Sequence, residues 1–171
     1  MARYHATVES RSPAAETFAY LATFSNAAEW DPGVLAGEQL DAGPPGPGSR
    51  FRLTVPFLAA RMSLTYQVIR FVPDREVLLR AASALLRSTD RIVVTGAEYG
   101  STVSYDAEVR LRGPLKLLDP LLRPGFRVVA ERAAAGLTRA LSRRPPGRST
   151  RTPAAAPAPS DGAAQPAEGK P

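Results

Sequence analysis

Residues 113–141, GPLKLLDPLLRPGFRVVAERAAAGLTRAL, form the only long run of the chain with regular helical periodicity. Apolar residues recur there every three or four positions and predict a helix with one apolar stripe. The stripe consists of Leu115, Leu118, Leu122, Phe126, Val129, Ala133, Leu137 and Leu141. Nearly everything before this helix has the pattern of short strands. We therefore expect a sheet that curves around the helix and buries its stripe.

Two prolines interrupt the beginning of this helix. Pro120 and Pro124, the latter followed by Gly125, each remove a backbone donor and crowd the preceding turn. We expect a kink or break between about 119 and 125, with regular helix continuing to about 142. Residues 118–126 could then form a movable lip.

Seven segments alternate between apolar and polar residues, as strands with one buried face do. They cover residues 3–9, 34–41, 51–57, 62–68, 76–83, 88–95 and 102–112. The last six follow one another at intervals of about ten residues with tight turns between them, which favours an antiparallel meander with one wet face.

Two short helices are predicted after the first strand. Ser12 and Pro13 suit an N-cap and a first helical position. Asn26 and Glu29 have the spacing of a capping box, which predicts a second helix over 26–30.

This order, β–α–α–β(×6)–α, resembles the START-like, or SRPBCC, superfamily and its polyketide cyclase/dehydrase branch. The resemblance rests on SPAAETFAYLATFSNAAEWDPGV (12–34), YGSTVSYDAEVRLRG (99–113) and LKLLDPLLRPGF…AAAGL (115–137). It implies an α+β helix-grip domain over residues 1–142. In that fold, a curved antiparallel sheet of about seven strands wraps a long C-terminal helix and leaves a hydrophobic cavity between them.

The resemblance turns the inward-facing residues of the strands, and some on the helices, into candidate ligand contacts, although in a simple packed core the same side chains would only fill space. The candidates are Trp30, Phe51, Leu53, Met62, Leu64, Tyr66, Asp90, Ile92, Tyr105, Leu122 and Phe126. Trp30, the only tryptophan, lies near the expected opening, where it could gate the cavity or simply pack.

Three of these residues are polar and share the inward face, namely Tyr66, Asp90 and Tyr105. A buried carboxylate must be neutralised or paired, and Arg80 or Arg87 is a candidate partner. Alternatively, Asp90 faces solvent at a strand end, and the tyrosine hydroxyls reach the surface. These three are also the candidates for cyclase chemistry, which needs a base or polarising donors beside an enol.

The composition excludes several other kinds of site. The chain has no Cys and one His, His5, so a thiolate metal site and a Ser-His-Asp triad are not expected. The prolines of the GPPGPG turn (43–48) remove the N–H groups that a phosphate loop needs. We predict no cofactor. The absence of Cys and the polar N-terminal MARYHATVES favour a cytoplasmic protein.

The chain carries a formal charge of +6, half of it in residues 143–171. This Pro- and Ala-rich segment lacks aromatic residues and is predicted to be a disordered tail. The long helix also has a cationic outer face, which could contact an anionic membrane surface but is more simply a solvated face. Because aromatic residues do not interleave with these charges, nucleic acid is not an expected partner.

Three functions therefore remain open. The first is binding of a small hydrophobic molecule such as a polyketide, lipid or quinone-like compound. The second is a polyketide aromatase/cyclase or dehydratase, which the resemblance alone motivates. The third is an interaction module that uses the basic helix and the tail. The sequence leaves the oligomeric state open.

Overall fold

The computed structural model describes residues 1–57, 60–113 and 119–144, with only the backbone described at 57, 119–124 and 126. The strands are β1 (Ala2–Ser10), β2 (Ala36–Gln39), β3 (Arg50–Phe57), β4 (Ala60–Val72), β5 (Glu76–Ala82), β6 (Leu86–Ala97) and β7 (Gly100–Leu111). The helices are α1 (Ala14–Ala22), α2 (Ala27–Trp30) and α3 (Asp119–Arg143), and a 3-10 turn spans Phe24–Asn26. The predicted helix-grip architecture is confirmed.

All strands belong to one curved antiparallel sheet in the order β1-β7-β6-β5-β4-β3-β2. Each of β3 to β7 pairs with its sequence neighbour, as predicted for a meander, and β1 closes one edge against β7. The two predicted helices lie between β1 and β2. The chain crosses from one edge of the sheet to the other through this insertion.

The predicted alternation of buried and exposed residues holds along the strands. In β6, Ser88, Asp90, Ile92 and Val94 are buried, while Arg87 is exposed. β7 follows the same rule, since Val103 and Tyr105 are buried. The inner face of the sheet therefore carries both the apolar core and a few polar groups, and these polar groups are the ones that a site could use.

α3 packs against β1 and α2 and buries the second half of its predicted stripe. Ala133, Leu137 and Leu141 are buried, together with Ala130. Val129 is the exception, because 45% of it is exposed although it belongs to the stripe. Val129 instead lines a cavity between the helix and the sheet.

The break expected between about 119 and 125 is wrong, because α3 continues without interruption from Asp119 to Arg143. Pro120 falls in the first turn, where a backbone N–H has no partner within the helix. Pro124 removes one further donor in the second turn without ending the helix. Whether the axis bends there stays a prediction, as does the movable lip.

The two helices of the insertion begin differently from the sequence prediction. α1 begins at Ala14, so Pro13 rather than Ser12 occupies the cap, and no side chain caps it. The carbonyl oxygen of Ser12 instead accepts a hydrogen bond from the Ser101 hydroxyl, 2.9 Å away, which ties α1 to β7. The Asn26 side chain likewise does not cap α2, because its amide donates to the Tyr20 carbonyl oxygen.

The predicted tail lies outside the described residues, apart from its first two positions. Arg143 is the last residue of α3. The guanidinium of Arg144 lies 3.8 Å from the centre of the Tyr20 ring. Helix α3 therefore ends one residue beyond the predicted boundary at 142. Within the described ranges, no helix is both long enough and apolar enough to span a membrane.

Two glycines of α3 provide a test of how tightly this helix is docked. A Cβ added at Gly136 would overlap the carbonyl oxygen of Trp30, whereas one added at Gly125 would meet nothing within 4 Å. We expect Gly136→Ala to destabilise the protein by roughly 1–3 kcal/mol, as overpacking does. Gly125→Ala should stabilise it by up to about 1 kcal/mol, because alanine is the better helix former. Urea unfolding of both variants checks this pair. Shifts of the same sign would contradict the described docking.

Candidate ligand cavity

A cavity of about 310 Å³ lies between the inner face of the sheet, α2 and the first half of α3. Small-molecule sites typically measure about 300–1,000 Å³, so this cavity is at the lower end of that range. The sheet contributes Leu53, Val55, Pro56, Met62, Leu64, Tyr66, Leu86, Ser88, Asp90, Tyr105, Val109 and Leu111. The insertion contributes Phe24, Ala27, Trp30, Asp31, Gly33 and Val34, and α3 contributes Val129.

Four aromatic rings stand in the wall as two edge-to-face pairs. The rings of Phe24 and Tyr66 lie 5.0 Å apart, centre to centre, and those of Trp30 and Tyr105 lie 5.7 Å apart. Each pair joins the insertion to a strand, which is the arrangement that aromatic quadrupoles prefer. The insertion is thereby held against the sheet around the cavity.

The polar centre of the cavity is the carboxylate of Asp90. Only 4% of this residue is exposed to solvent. The Tyr105 hydroxyl donates a hydrogen bond to it at 2.6 Å, and the Ser88 hydroxyl donates another at 2.9 Å. The Tyr66 hydroxyl also faces Ser88 and Asp90. Strand geometry explains the cluster, because Ser88 and Asp90 are two positions apart on β6 and side chains alternate with a period of two.

Burial controls the titration of this cluster. It raises the pKa of Asp90 to about 6, although the hydrogen bonds from Tyr105 and Ser88 favour the charged form and oppose the shift. Burial, and then the negative charge of Asp90, raises the pKa of both Tyr66 and Tyr105 well above its usual value. The two phenols thus remain hydroxyl donors beside a carboxylate that is ready to accept a proton near neutral pH.

A second carboxylate, that of Asp31, lines the cavity from the loop after α2. It accepts a hydrogen bond from the Gly33 backbone N–H at 2.7 Å. Burial raises the pKa of Asp31, and its charge in turn contributes to the raised pKa of Asp90. Neither carboxylate forms an ion pair with a described residue.

Seven of the eleven candidate ligand contacts line the cavity. They are Trp30, Leu53, Met62, Leu64, Tyr66, Asp90 and Tyr105. Phe51 and Ile92 do not; both are buried in the core without reaching the cavity. The side chains of Leu122 and Phe126 lie outside the described part of the structure. Trp30 is buried and packs on Tyr105, so it forms wall rather than rim.

The partners expected for Asp90 are wrong. Both Arg80 and Arg87 are exposed on the outer face of the sheet, so their side chains cannot reach the inner face. The solvent-facing alternative for Asp90 is equally wrong. Neutral hydroxyls take the place of the expected guanidinium, so the carboxylate is hydrogen-bonded but not compensated in charge.

Several lining residues were not singled out from the sequence. Asp31, Gly33 and Val34 lie in a loop, where no periodicity indicates which side faces inward. Leu86, Ser88 and Leu111 share the inward parity of β6 and β7, so that signal could have identified them.

Three larger depressions, of about 450, 360 and 600 Å³, lie outside this cavity. The first is on the outer face of the sheet and includes the ion pair of Arg3 with Glu108 and the hydrogen bond between His5 and Asp106. Their polar groups already pair with one another, and we place the site in the inner cavity instead. In the described ranges no three His, Asp or Glu side chains are grouped to hold a metal ion.

Fold and cavity together define a START-like helix-grip protein. The chain belongs to the family described as polyketide cyclase / dehydrase and lipid transport, whose sequence model matches residues 1–143. Comparison with curated protein sequences gave no significant match.

Solved structures that resemble this chain include two kinds of protein. The Zhui aromatase/cyclase from Streptomyces sp. R1128 is 16% identical, with a TM-score of 0.63 over 81% of this chain and 90% of that one. A START superfamily protein from Mycobacterium smegmatis is 15% identical, with a TM-score of 0.65 over 81% and 96%. The di-domain ARO/CYC BexL is 18% identical, with a TM-score of 0.61, and the match covers 84% of this chain but 50% of that one. At these identities the likeness establishes the fold alone.

The raised pKa of Asp90 predicts an unusual pH dependence of stability. The folded state binds the proton more tightly than the unfolded state, whose Asp has a pKa near 3.8. The stability that protonation provides is therefore full below about pH 4 and is lost as the pH rises through about 6. Relative to Asp90→Asn, the wild type should lose roughly 3 kcal/mol across this window, at 1.36 kcal/mol per pKa unit.

Urea unfolding of wild type and Asp90→Asn over this pH range measures the difference between their free energies of unfolding. Groups that titrate in the same way in both proteins do not contribute to this difference. The groups that face Asp90 are Asp31, Tyr66, Ser88 and Tyr105. Asp74→Asn removes an exposed carboxylate from the turn between β4 and β5 and is the control. A stability difference between wild type and Asp90→Asn that is independent of pH would contradict the assignment.

Proposed function

We propose that this protein binds a small hydrophobic molecule in the cavity between the sheet and α3. The observation that carries the proposal is an apolar space of about 310 Å³ with a polar cluster on one wall. Protein interiors are normally close-packed, with few voids larger than a water molecule. A space about ten times the volume of a water, at roughly 30 Å³ each, favours an occupant larger than water.

The character of the wall indicates what kind of occupant fits. Leucine, valine, methionine and aromatic side chains form most of it, so the bulk of the ligand is apolar. Val129, Pro56 and Met62 are exposed or half-buried and form the rim through which a ligand could pass. The hydroxyls of Tyr66 and Tyr105 can orient one polar group of the ligand at the inner wall. The family description, which includes lipid transport, agrees with such a role.

Filling the cavity should abolish binding. Val109 lines it from β7, and Val109→Phe adds a ring into the space. We expect this variant to lower the affinity for N-phenyl-1-naphthylamine, a neutral fluorescent probe, by at least about tenfold, because the ring occupies the probe's volume. Fluorescence titration measures the affinity.

Val93→Phe is the matched control. Val93 is on the neighbouring strand β6, between the inward-facing Ile92 and Val94, so its side chain lies on the outer face of the sheet. It should bind the probe as the wild type does. The proposal fails if the wild type takes up no probe, or if both variants bind it unchanged.

One observation favours a second function, that of an aromatase/cyclase or dehydratase. Asp90 combines a pKa of about 6 with two phenol donors, which are the components of proton abstraction beside a ketone. The carboxylate would accept a proton from a methylene between two carbonyls, and a phenol would donate to the carbonyl oxygen that gains charge. The new enolate carbon would attack a second carbonyl of the same chain, whose oxygen would take back the proton held by Asp90. Loss of the resulting hydroxyl together with a hydrogen from the neighbouring carbon would release water. One of the similar structures is named an aromatase/cyclase.

Conservative variants test this second function. Asp90→Asn should lower kcat/KM for cyclisation of a poly-β-ketone by about 10²–10⁴, the usual contribution of a general base. Tyr105→Phe and Tyr66→Phe should also slow it by removing a donor. Tyr4→Phe, at a half-buried position of β1 that does not line the cavity, is the control. An unchanged product profile in all three cavity variants would reject catalysis and leave binding.

A further inference from the structure

The charges in the cavity bear on the chemistry of its ligand, and this inference rests on the proposed binding function. Two carboxylates, Asp31 and Asp90, line a mostly apolar space, and no Lys or Arg is among its described lining residues. Buried charges in proteins are normally paired with an opposite charge. Here the donors to Asp90 are the neutral hydroxyls of Tyr105 and Ser88, and the donor to Asp31 is a backbone N–H.

The aromatic wall is an independent feature with the same preference. Phe24, Trp30, Tyr66 and Tyr105 present four rings to the cavity. The faces of such rings attract a cation, and the attraction is strongest where the cation is removed from water. Aromatic rings combined with carboxylates are the ordinary surroundings of an ammonium group.

We propose that Asp31 and Asp90 make this cavity selective for apolar molecules that carry a protonated amine. The amine would supply the missing counter-charge to both carboxylates, of which Asp90 is buried and Asp31 is half-buried. An anionic head group would be repelled by the same two charges, and no Lys or Arg among the described lining residues could pair with it. A neutral alcohol would bind through its apolar body alone.

The net charge of the protein makes the preference specific to the site. The chain carries a formal +6, so general attraction favours anions over cations. A preference for an amine over a carboxylate must therefore originate in local groups. A preference for the amine therefore indicates binding in the cavity, whereas adsorption to the surface would favour the carboxylate.

Three probes that share one aromatic body provide the test: 1-naphthylmethylamine, 1-naphthalenemethanol and 1-naphthoic acid. At about pH 8 the amine is protonated, and Asp90, whose pKa is about 6, is ionised. Calorimetric titration of the full chain should give an affinity for the amine at least about tenfold above that for the alcohol. The acid should bind most weakly of the three.

Substitution of each carboxylate by Asn tests whether Asp31 and Asp90 cause the preference for the amine. Asp31→Asn and Asp90→Asn should each reduce the amine-to-alcohol affinity ratio by about threefold or more, as expected when one of two counter-charges is lost. Asp31 is only half-buried, so its variant keeps the test valid if Asp90→Asn does not fold. Asp74→Asn should leave the ratio unchanged.

The inference is overturned if the alcohol binds as tightly as the amine, or if the ratio is the same in wild type and both Asn variants. That result leaves the proposed binding function intact, provided that Val109→Phe blocks the alcohol. Failure of all three probes to bind would reject both the inference and the proposed function.

Discussion

The removal of the Asp90 carboxylate from water is the constraint on which the rest of the site depends. The fold places this charge on the inner face of β6 and surrounds it with phenol and serine hydroxyls in place of a cation. Hydrogen bonds satisfy its oxygens but do not compensate its charge, so its pKa rises to about 6. The raised proton affinity of Asp90 and the proposed preference for a cationic ligand both follow from this arrangement.

Packing at the other side of the cavity maintains the space beside that carboxylate. The close approach of Gly136 to the Trp30 carbonyl fixes α2 on α3, and Trp30 in turn packs on Tyr105, which donates to Asp90. A chain of contacts thus runs from the last helix to the buried charge. The same helix buries Leu137 in the core and leaves Val129 exposed beside the cavity.

Periodicity predicted the parts of this structure that depend on which face a side chain occupies. Strand alternation correctly placed Tyr66, Asp90 and Tyr105 inside. Strand alternation shows which face of the sheet a side chain occupies, but not how deep it lies. Phe51 therefore shares the inward face with Leu53 but does not line the cavity. Arg87 is three positions from Asp90 on β6, so strand alternation places it on the outer face, and Arg80 on β5 is exposed as well. Asp31 follows a helix in a loop, where no pattern indicates direction, and only the folded chain brings its charge near Asp90.

The most direct test of this account is the pKa of the Asp90 carboxyl group in the free protein, measured by carbon-13 NMR of its side-chain carboxyl carbon. The Asp90→Asn spectrum assigns the resonance. The account predicts a value of about 6, because burial without a cationic partner disfavours the charged form. A value near 3.8, that of an ordinary aspartate, would show that the carboxylate is solvated or paired with a cation and would contradict the account.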